Sequence, residues 1–305
     1  MSIRPVRHIS QAQPTMEGAG VRLDRAFGFG DPNLADPFLL LDDFRNERPE
    51  DYQAGFPWHP HRGIETITYV LAGSVDHADS LGNAGSLGAG DVQWMTAGSG
   101  ILHQEMPHGD KRGRMHGFQL WANLPSSEKM TTPRYQDVKA GDVPEVIDDD
   151  GTRVRVVVGE FWGKRGPVDG IAADPQYLDV WVPPGRRKVL PVDTYRSAFA
   201  YIFEGSGTFR DASRPFGVLV EKEVEGEEVH LRDMSGDRTL VVFDTGDEVV
   251  VQAGERGIRF LLVSGKPIQE PVAWHGPIVM NTRQELMQAF NELNAGTFIR
   301  ENAKS

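Results

Sequence analysis

The hydrophobic pattern of the chain predicts β-strands in both halves. Short runs rich in β-branched and aromatic residues lie at 64–75, 91–95, 117–122, 153–158, 177–182, 198–203, 239–243 and 258–263. Such runs, bounded by turn residues, are typical of strands. Turn-forming glycines separate the runs of the first half at positions 82, 85, 88, 90, 98 and 100. Strands at this spacing indicate an all-β fold, either a barrel or a sandwich.

One helix is predicted, near the C-terminus. Thr282 and Glu285 have the spacing of a capping box, in which each side chain accepts from a free amide of the first turn. The apolar residues that follow fall on one helical face, and a glycine can end the helix: Leu286, Met287, Phe290, Leu293 and Gly296. We interpret this segment as a packing helix without chemistry.

The length and one change in composition predict two domains. A chain of 305 residues is long for a single modest domain. Residues 125–150 contain three prolines, few strand-like runs and the acidic stretch 148–150. The sequence therefore predicts an N-terminal domain over 1–130, a linker over 131–150, and a C-terminal domain over 151–305 that ends in the helical tail.

The two halves share short stretches of sequence. The segment LAGS at 71–74 matches FEGS at 203–206. The segment GDVQWMTAG at 90–98 matches GDEVVVQAG at 246–254, since both begin Gly-Asp and end Ala-Gly. A repeated β-unit of this length predicts a duplicated barrel.

Charge and composition restrict the partners. The formal net charge of -12 disfavours direct binding to nucleic acid, although it leaves a protein partner open. The chain has no Cys, so any metal must be held by nitrogen and oxygen ligands. No apolar run is long enough to cross a bilayer, and residues 1–20 lack the apolar core of a signal peptide. We therefore expect a cytoplasmic protein without membrane association.

Two pairs of side chains carry the candidate chemistry. His59 and His61 flank Pro60, and His103 and Glu105 flank Gln104. On an extended segment, residues two apart point to the same side. One His-x-His pair alone is more often a surface feature. The second pair lies 42 residues after His61 in the same predicted β-unit, and neighbouring strands bearing the two pairs would form a metal site with four nitrogen and oxygen ligands.

The segments around these pairs resemble the motifs of a known family. GFPWHPHRGIETITYVLAG resembles the first cupin motif, and GDVQWMTAGSGILHQEMP resembles the second in its pirin form. The resemblance extends through GFQLWANLPSSEKMTTPRYQ to HGPIVMNTRQELMQAF, nearly the whole chain. It implies two tandem cupin β-barrels of jelly-roll type with a C-terminal helix. It also implies one iron ion in the N-terminal barrel, held by His59, His61, His103 and Glu105.

A second carboxylate competes for the metal. Many other cupins use the Glu that follows His-x-His, which here is Glu65, and strand parity from His61 would permit it. The resemblance to pirins ranks Glu105 first and leaves Glu65 a structural role or one of orienting a ligand. For three further histidines near the motifs we expect turn or core hydrogen bonding rather than metal ligation: His77, His108 and His116.

The second half lacks the candidate ligands. Alignment of the two halves on the match of LAGS to FEGS places Pro191 and Asp193 at the positions of His59 and His61. Alignment on the two Gly-Asp segments places Arg259 and Leu261 at the positions of His103 and Glu105. An Arg at a ligand position would repel a cation. We therefore expect no metal at the corresponding place in the C-terminal barrel.

Three neutral imidazoles and one carboxylate leave a divalent ion with a net charge near plus one. A six-coordinate ion then keeps two positions for substrate or oxygen, as in oxygen-activating enzymes. The resemblance implies Fe(II), one ion per chain, although these ligands also accept manganese, nickel, cobalt, copper or zinc. Five side chains flanking the ligands are candidates for lining a pocket for a small aromatic substrate, with ordinary barrel core as the alternative: Phe56, Trp58, Trp94, Met95 and Met106.

Two classes of function follow from the resemblance. The first is a quercetin 2,3-dioxygenase, which opens quercetin or a related flavonol or aromatic enediol with O₂. Glu105 would then be a catalytic base for the substrate hydroxyl while remaining a ligand. The second is an iron-dependent redox-sensing regulator that binds a protein of transcription or metabolism without physiological catalysis. A metal protein with a vestigial site is a third reading. No motif identifies a partner surface, so we favour the enzyme.

Overall fold

The computed structural model describes residues 2–168, 172–209 and 235–300, together with the backbone of 223–224 and 227–228. Contacts divide the chain into two units. The first unit comprises Ala12–Pro144, Val156–Gln176 and Gly265–Ser305. The second unit comprises Met1–Gln11, Glu145–Arg155 and Tyr177–Ser264.

This division differs from the boundaries predicted at 130 and 150. The segment interpreted as a linker contains a strand over Arg134–Val138 that belongs to the first unit and one over Glu145–Ile147 that belongs to the second. The chain beyond Gly265 returns to the first unit, and residues 1–11 join the second. Pairing between strands distant in sequence decides these memberships, and prolines in a segment do not reveal it.

A seven-stranded sheet and a four-stranded sheet form the first unit. The larger sheet has the order β12-β9-β6-β11-β4-β3-β2. Its strands are β2 (Gln13–Glu17), β3 (Val21–Phe27), β4 (Phe38–Asp43), β6 (Ile64–Ala72), β9 (Val92–Thr96), β11 (His116–Asn123) and β12 (Arg134–Val138). The smaller sheet has the order β5-β10-β7-β8. Its strands are β5 (Phe56–His61), β7 (Ser74–Asp79), β8 (Ala84–Leu87) and β10 (Ile101–His108).

The register of the larger sheet assigns its side chains to two faces. On β6, Thr66 is paired with Trp121 and Thr68 with Gln119, so these four side chains share one face. Glu65 lies on the opposite face. Both faces of β6 are buried along 64–70, which explains why the strand has a nearly continuous apolar and threonine-rich sequence rather than a strict alternation.

A nine-stranded sheet forms the second unit. It runs β1-β23-β19-β24-β17-β14-β13, with β18 paired to β24 and β22 to β19. Its strands are β1 (Val6–Gln11), β13 (Glu145–Ile147), β14 (Arg153–Val158), β17 (Gln176–Val182), β18 (Arg187–Pro191), β19 (Ser197–Phe209), β22 (Ser235–Gly236), β23 (Thr239–Phe243) and β24 (Glu248–Gly265). When the seven-strand orders of the two sheets are aligned position by position, β6 corresponds to β19, β9 to β23, β11 to β24 and β4 to β17.

This correspondence tests the two sequence matches. The match of LAGS to FEGS is confirmed, because the two segments begin on the corresponding strands β6 and β19 and their glycines, Gly73 and Gly205, have φ values of 78° and 72°. The match of 90–98 to 246–254 is wrong. Residues 92–96 form β9, whose counterpart is β23, whereas 248–254 belong to β24. The Gly-Asp pair is short, and it occurs before both β9 and β24 although these strands do not correspond.

The position assigned to Arg259 changes accordingly. The pair β18 and β24 in the second unit corresponds to β5 and β10 in the first, and Pro191 is there paired with Glu248. Arg259 lies farther along β24, in the part that corresponds to β11. The placement of Arg259 and Leu261 opposite His103 and Glu105 was therefore wrong.

The remaining elements are short, apart from one helix. Three two-stranded pairs are β15 (Glu160–Phe161) with β16 (Lys164–Arg165), β20 (Glu223–Val224) with β21 (Glu227–Glu228), and β25 (Ala273–His275) with β26 (Ile278–Met280). Single 3₁₀ turns occupy Pro49–Asp51 and Ala140–Asp142. The helix α1 spans Arg283–Asn294 and begins with the predicted capping box of Thr282 and Glu285.

The helix packs on the first unit through most of its predicted stripe. Ala289 is buried and Leu286, Phe290 and Leu293 are partly buried against Ile278 and its neighbours. Met287 instead faces solvent, with 66% of its surface exposed. No helix among the described residues combines the length and the apolar character needed to cross a membrane.

Candidate metal centre

Strand register brings the three predicted histidines together. β5 and β10 are antiparallel, with His59 directly opposite His103 and His61 opposite Ile101. His59 and His61 lie two apart on β5 and therefore share a face. The ring centroids of the three histidines are 4.3 to 5.0 Å apart. One nitrogen from each ring lies within 4.8 Å of the others, and among the described residues this is the one such group of potential ligands.

Backbone carbonyls fix the tautomers of the β5 histidines. The Nδ1 of His59 lies 2.9 Å from the carbonyl oxygen of Pro57, and the Nδ1 of His61 lies 3.1 Å from that of Pro277. A carbonyl only accepts, so each Nδ1 must carry the hydrogen and donate it. Each Nε2 then keeps its lone pair, the state in which imidazole binds a metal. Trp121 packs edge-on against His61, with ring centroids 5.0 Å apart.

His103 supplies the observation that favours a metal. The residue is fully buried, and both of its ring nitrogens lack a hydrogen-bond partner. Burial and the neighbouring histidines lower its pKa, and burial followed by His59 lowers the pKa of His61. Both rings are therefore neutral near pH 7. A buried imidazole without partners is costly, and a cation bound by the cluster would satisfy it. Nitrogens about 2.1 Å from one ion are at most about 4.2 Å apart, close to the spacing observed.

Glu105 lies beside the histidine cluster. It is two residues after His103, but an extra residue in β5 shifts the register so that Glu105 is paired with Phe56. Its carboxylate is buried and accepts a hydrogen bond of 2.9 Å from the hydroxyl of Thr68. Burial raises its pKa, while His59 and the Thr68 hydrogen bond act in the opposite direction. Glu105 lines the same cavity as His59 and His61, and its assignment as fourth ligand stays a prediction.

Glu65 lies on the other face of the sheet. It is 1% exposed and accepts a hydrogen bond of 2.7 Å from Thr96. The parity argument that permitted Glu65 as a ligand was wrong, because β5 ends at His61 and the turn at Gly63, with φ of 78°, breaks the alternation before β6 begins. Burial raises the pKa of Glu65 to about 7, although the hydrogen bond from Thr96 acts to lower it.

The three other histidines near the motifs lie outside the cluster. Each is close to a carboxylate of another strand: His77 Nε2 is 3.4 Å from Asp137, His108 Nε2 is 3.0 Å from Asp76, and His116 Nε2 is 3.5 Å from Asp43. None of the three joins the histidine cluster, as expected, but the ring nitrogens of the buried His77 make no hydrogen bond among the described residues, so the predicted hydrogen-bonding role is not seen for His77.

A cavity of about 430 Å³ opens beside the cluster. Phe56 and Trp58 line it, as predicted from their position next to the ligands. Trp94 and Met95 are instead fully buried, Trp94 on the Glu65 face beside Ile67, and Met106 contacts the turn at Gly55. The prediction therefore holds for two of the five flanking side chains. Alternation alone could not place the others, because it does not show which side of each strand is hollow.

The opposite wall of the cavity is polar and was not predicted. Arg25 donates to both oxygens of Asp42, at 2.8 and 2.7 Å, and its third nitrogen lies 2.9 Å from Glu17. Burial raises the pKa of Asp42 to about 6 in spite of this pair. Glu17, Arg25 and Asp42 lie 17 to 42 residues before His59, outside the two motifs, whereas Gln119 and Trp121 of the same cavity alternate along a recognisable strand.

Comparison with known proteins identifies the family. The Pirin family model matches residues 20–122, and the model of the pirin C-terminal cupin domain matches residues 177–299. A pirin-like protein of Caulobacter vibrioides is 44% identical over 299 residues, covering 98% of this chain and 100% of that protein. A pirin-like protein of Solanum lycopersicum is 38% identical over 286 residues, covering 93% and 89%. The chain belongs to the pirin family.

Solved structures agree with the all-β fold of two cupin barrels. Quercetin 2,3-dioxygenase from Acinetobacter baumannii is 30% identical, with a TM-score of 0.83 over 97% of this chain and 99% of that one. A bacterial pirin from Escherichia coli in complex with nickel(II) is 21% identical, with a TM-score of 0.62 over 85% of this chain and 99% of that one. The predicted fold class, tandem cupin barrels with a C-terminal helix, is confirmed.

Proposed function

We propose that the protein is a metal-dependent dioxygenase that opens quercetin or a related flavonol or aromatic enediol with O₂. A single divalent ion, Fe(II) in our proposal, would be held by His59, His61, His103 and Glu105. The observation that carries the proposal is the fully buried His103 without hydrogen-bond partners, beside two histidines whose Nε2 atoms are left free. Relatives of this chain include a structure named quercetin 2,3-dioxygenase.

The donor set suits an oxygen-activating metal. Three neutral imidazoles and a carboxylate bind divalent first-row metals, and four protein ligands leave positions open in a six-coordinate ion. A bound iron ion supplies Lewis acidity and one-electron redox chemistry to the reaction of an aromatic enediol with dioxygen. Manganese, nickel, cobalt, copper or zinc would satisfy the same donors, so the donor set alone does not select iron.

Glu105 is the proposed catalytic base. A flavonol reacts with dioxygen as its enolate, so the proton of the reacting hydroxyl must move to a nearby acceptor. Glu105 lines the cavity, and its burial raises the pKa of the carboxyl group toward the range of an effective base. Thr68 holds one carboxylate oxygen at 2.9 Å, which leaves the other for the ligand or base role.

The cavity walls would orient a planar substrate. Phe56, Trp58 and Trp121 offer apolar and aromatic surface next to the histidines. On the far wall, Asp42 and Glu17 can accept hydrogen bonds from phenolic hydroxyls while Arg25 keeps both carboxylates in place. Aromatic walls with a few fixed polar groups match a polyphenol better than an aliphatic substrate.

Oxygen-dependent turnover tests the proposal. Iron-loaded protein prepared without oxygen should convert quercetin catalytically once oxygen is admitted, and the loss of the quercetin absorbance measures this conversion. His61→Ala should abolish this loss, because it removes a ligand and the Nδ1 contact to Pro277. Zinc-loaded wild-type protein should be inactive, since zinc has no accessible redox change. Chelated protein that turned over quercetin at the full rate would refute the mechanism.

The regulatory alternative makes a different prediction. An iron-dependent redox-sensing regulator would show no turnover of quercetin. Its affinity for a protein partner would change when an oxidant is added to the iron-loaded protein, but not when it is added to the zinc-loaded protein. The partner and the cytoplasmic location stay predictions from the sequence.

A further inference from the structure

Gln119 lies in the wall of the metal cavity, between the proposed base and the polar wall. In the sheet register it is the neighbour of Thr68 on β6 and of Asp42 on β4, so these three side chains share one face. Gln119 is half-buried and lines the cavity together with Glu105 and Asp42. The function proposed above assigns no role to this amide.

The hydrogen bonds of Thr68 determine how the Gln119 amide is oriented. Thr68 Oγ1 lies 2.9 Å from Glu105 Oε1 and 3.1 Å from Gln119 Oε1. A hydroxyl has a single hydrogen to donate, so it cannot serve two accepting oxygens. A carboxylate only accepts, whereas half a turn of the amide group exchanges its oxygen and its nitrogen. Thr68 therefore donates to Glu105, and the NH₂ group of Gln119 donates to Thr68.

This orientation leaves the carbonyl oxygen of Gln119 as an acceptor at the cavity. Within the described residues, the terminal atom of the amide that points away from Thr68 has no hydrogen-bond partner. Asp42, the neighbour on that side, has both carboxylate oxygens bonded to Arg25 and offers no N–H group. The cavity wall thus presents an amide carbonyl that Thr68 fixes in place, one hydroxyl away from the carboxylate of Glu105.

We propose that Gln119 Oε1 accepts a hydrogen bond from a non-reacting hydroxyl of the substrate and so selects polyhydroxylated aromatic compounds. The inference rests on the proposed function, because it takes Glu105 as a carboxylate that faces the reacting hydroxyl. The aromatic walls formed by Phe56, Trp58 and Trp121 accept any planar ring. A fixed carbonyl is more selective, since it stays unpaired beside a ring that brings no donor.

Ligand binding to zinc-loaded protein tests this inference apart from catalysis, because that form should not turn over. Quercetin carries donor hydroxyls besides the reacting one, whereas 3-hydroxyflavone carries the reacting hydroxyl alone. Gln119→Met keeps an unbranched side chain of similar length and removes the amide. It should weaken quercetin binding by about tenfold and leave the binding of 3-hydroxyflavone within about twofold. Quenching of tryptophan fluorescence measures both affinities, on samples that contain one zinc ion per chain.

Gln93→Met is the matched control. Gln93 lies on β9, is paired with Thr68 from the side opposite Gln119, and is 2% exposed. It donates a hydrogen bond of 2.9 Å to Asp137 and does not line the cavity. The same substitution at this position removes an amide from the same face of the sheet. It should leave the affinities for quercetin and 3-hydroxyflavone within about twofold of wild type.

Four results would overturn the inference: no quercetin binding to zinc-loaded wild type, unchanged quercetin binding in Gln119→Met, equal losses for quercetin and 3-hydroxyflavone, or an equal effect of Gln93→Met. Failure of the proposed function has a different signature. Iron-loaded wild type would then show no oxygen-dependent turnover, while the selective loss of quercetin binding in Gln119→Met would still establish Gln119 as the binding determinant. If Gln119→Met fails to fold, as judged by its urea midpoint, Gln119→Leu replaces it, with the same outcomes required.

Discussion

The two buried glutamates of the first unit should respond differently to the same substitution. Glu65 and Glu105 both have raised pKa values because both are buried, but they lie on different faces and only Glu105 lines the cavity with the histidines. In Glu65→Gln the amide oxygen can still accept from Thr96, and the buried charge is removed. We expect this variant to keep its metal and to gain stability at alkaline pH.

The magnitude follows from the pKa of Glu65. Burial raises it from 4.5 to about 7 in the folded state. The folded state therefore binds more protons than the unfolded state between these values, and wild-type stability falls as pH rises from 4.5 through 7. One pKa unit corresponds to about 1.4 kcal/mol, so the full loss is about 3 kcal/mol and the part between pH 5 and pH 8 is about 2 to 3 kcal/mol. Glu65→Gln should escape that loss.

Urea unfolding at pH 5 and pH 8 measures the effect. The unfolding free energy of Glu65→Gln minus that of wild type should be more favourable at pH 8 than at pH 5 by about 2 to 3 kcal/mol. Both proteins are studied with the same metal, so the pH dependence of metal binding cancels. Glu105→Gln is the matched variant: it should lose most of its metal, because a neutral amide replaces an anionic ligand. A pH-independent difference would contradict the raised pKa of Glu65, and loss of metal from Glu65→Gln but not from Glu105→Gln would show that the roles of the two residues are reversed.

Two further substitutions test the supports of the site. Thr68→Val should weaken metal affinity by about tenfold in a competition assay with a chelator, because Thr68 holds Glu105; Thr66→Val, the same change on the same face of β6, should not. Gly63→Ala should destabilise the first unit by about 3 kcal/mol or more in urea, since φ is 78° and the added Cβ would collide with the carbonyl oxygen of Val279. Gly82→Ala, with φ of 92° but open space around it, is the control and should cost clearly less; equal losses would show that backbone strain alone acts at Gly63.

Much of the fold could be predicted from the sequence, because strand formation leaves a local signal. Residues 153–158 and 239–243 are strands with the predicted bounds, and the capping box of α1 starts where Thr282 and Glu285 indicate. The predicted strand over 64–75 is two strands, since Gly73 turns the chain between β6 and β7. Unit membership could not be predicted, because the pairing of Val6–Gln11 with β23 joins segments more than 200 residues apart.

The candidate site also has features that could be predicted from the sequence and features that could not. The His59 and His103 pairs are visible because alternation along a strand is a local rule, and the register of β5 against β10 then places them together. The carbonyls of Pro57 and Pro277 carry no side-chain signal. The Arg25–Asp42 wall is formed by two strands that precede the first motif and carry no ligand-type pattern of their own. The ranking of Glu105 above Glu65 as a ligand stays a prediction, while the parity argument for Glu65 fails because the turn at Gly63 breaks the alternation.

Anomalous diffraction at the iron edge, from crystals of iron-loaded protein, tests the central claim most directly. The account predicts one peak per chain, surrounded by nitrogens of His59, His61 and His103 and by a carboxylate oxygen of Glu105. Two peaks per chain, a peak in the second unit near Asp193 or Glu248, or a peak that leaves His103 without contact would contradict it.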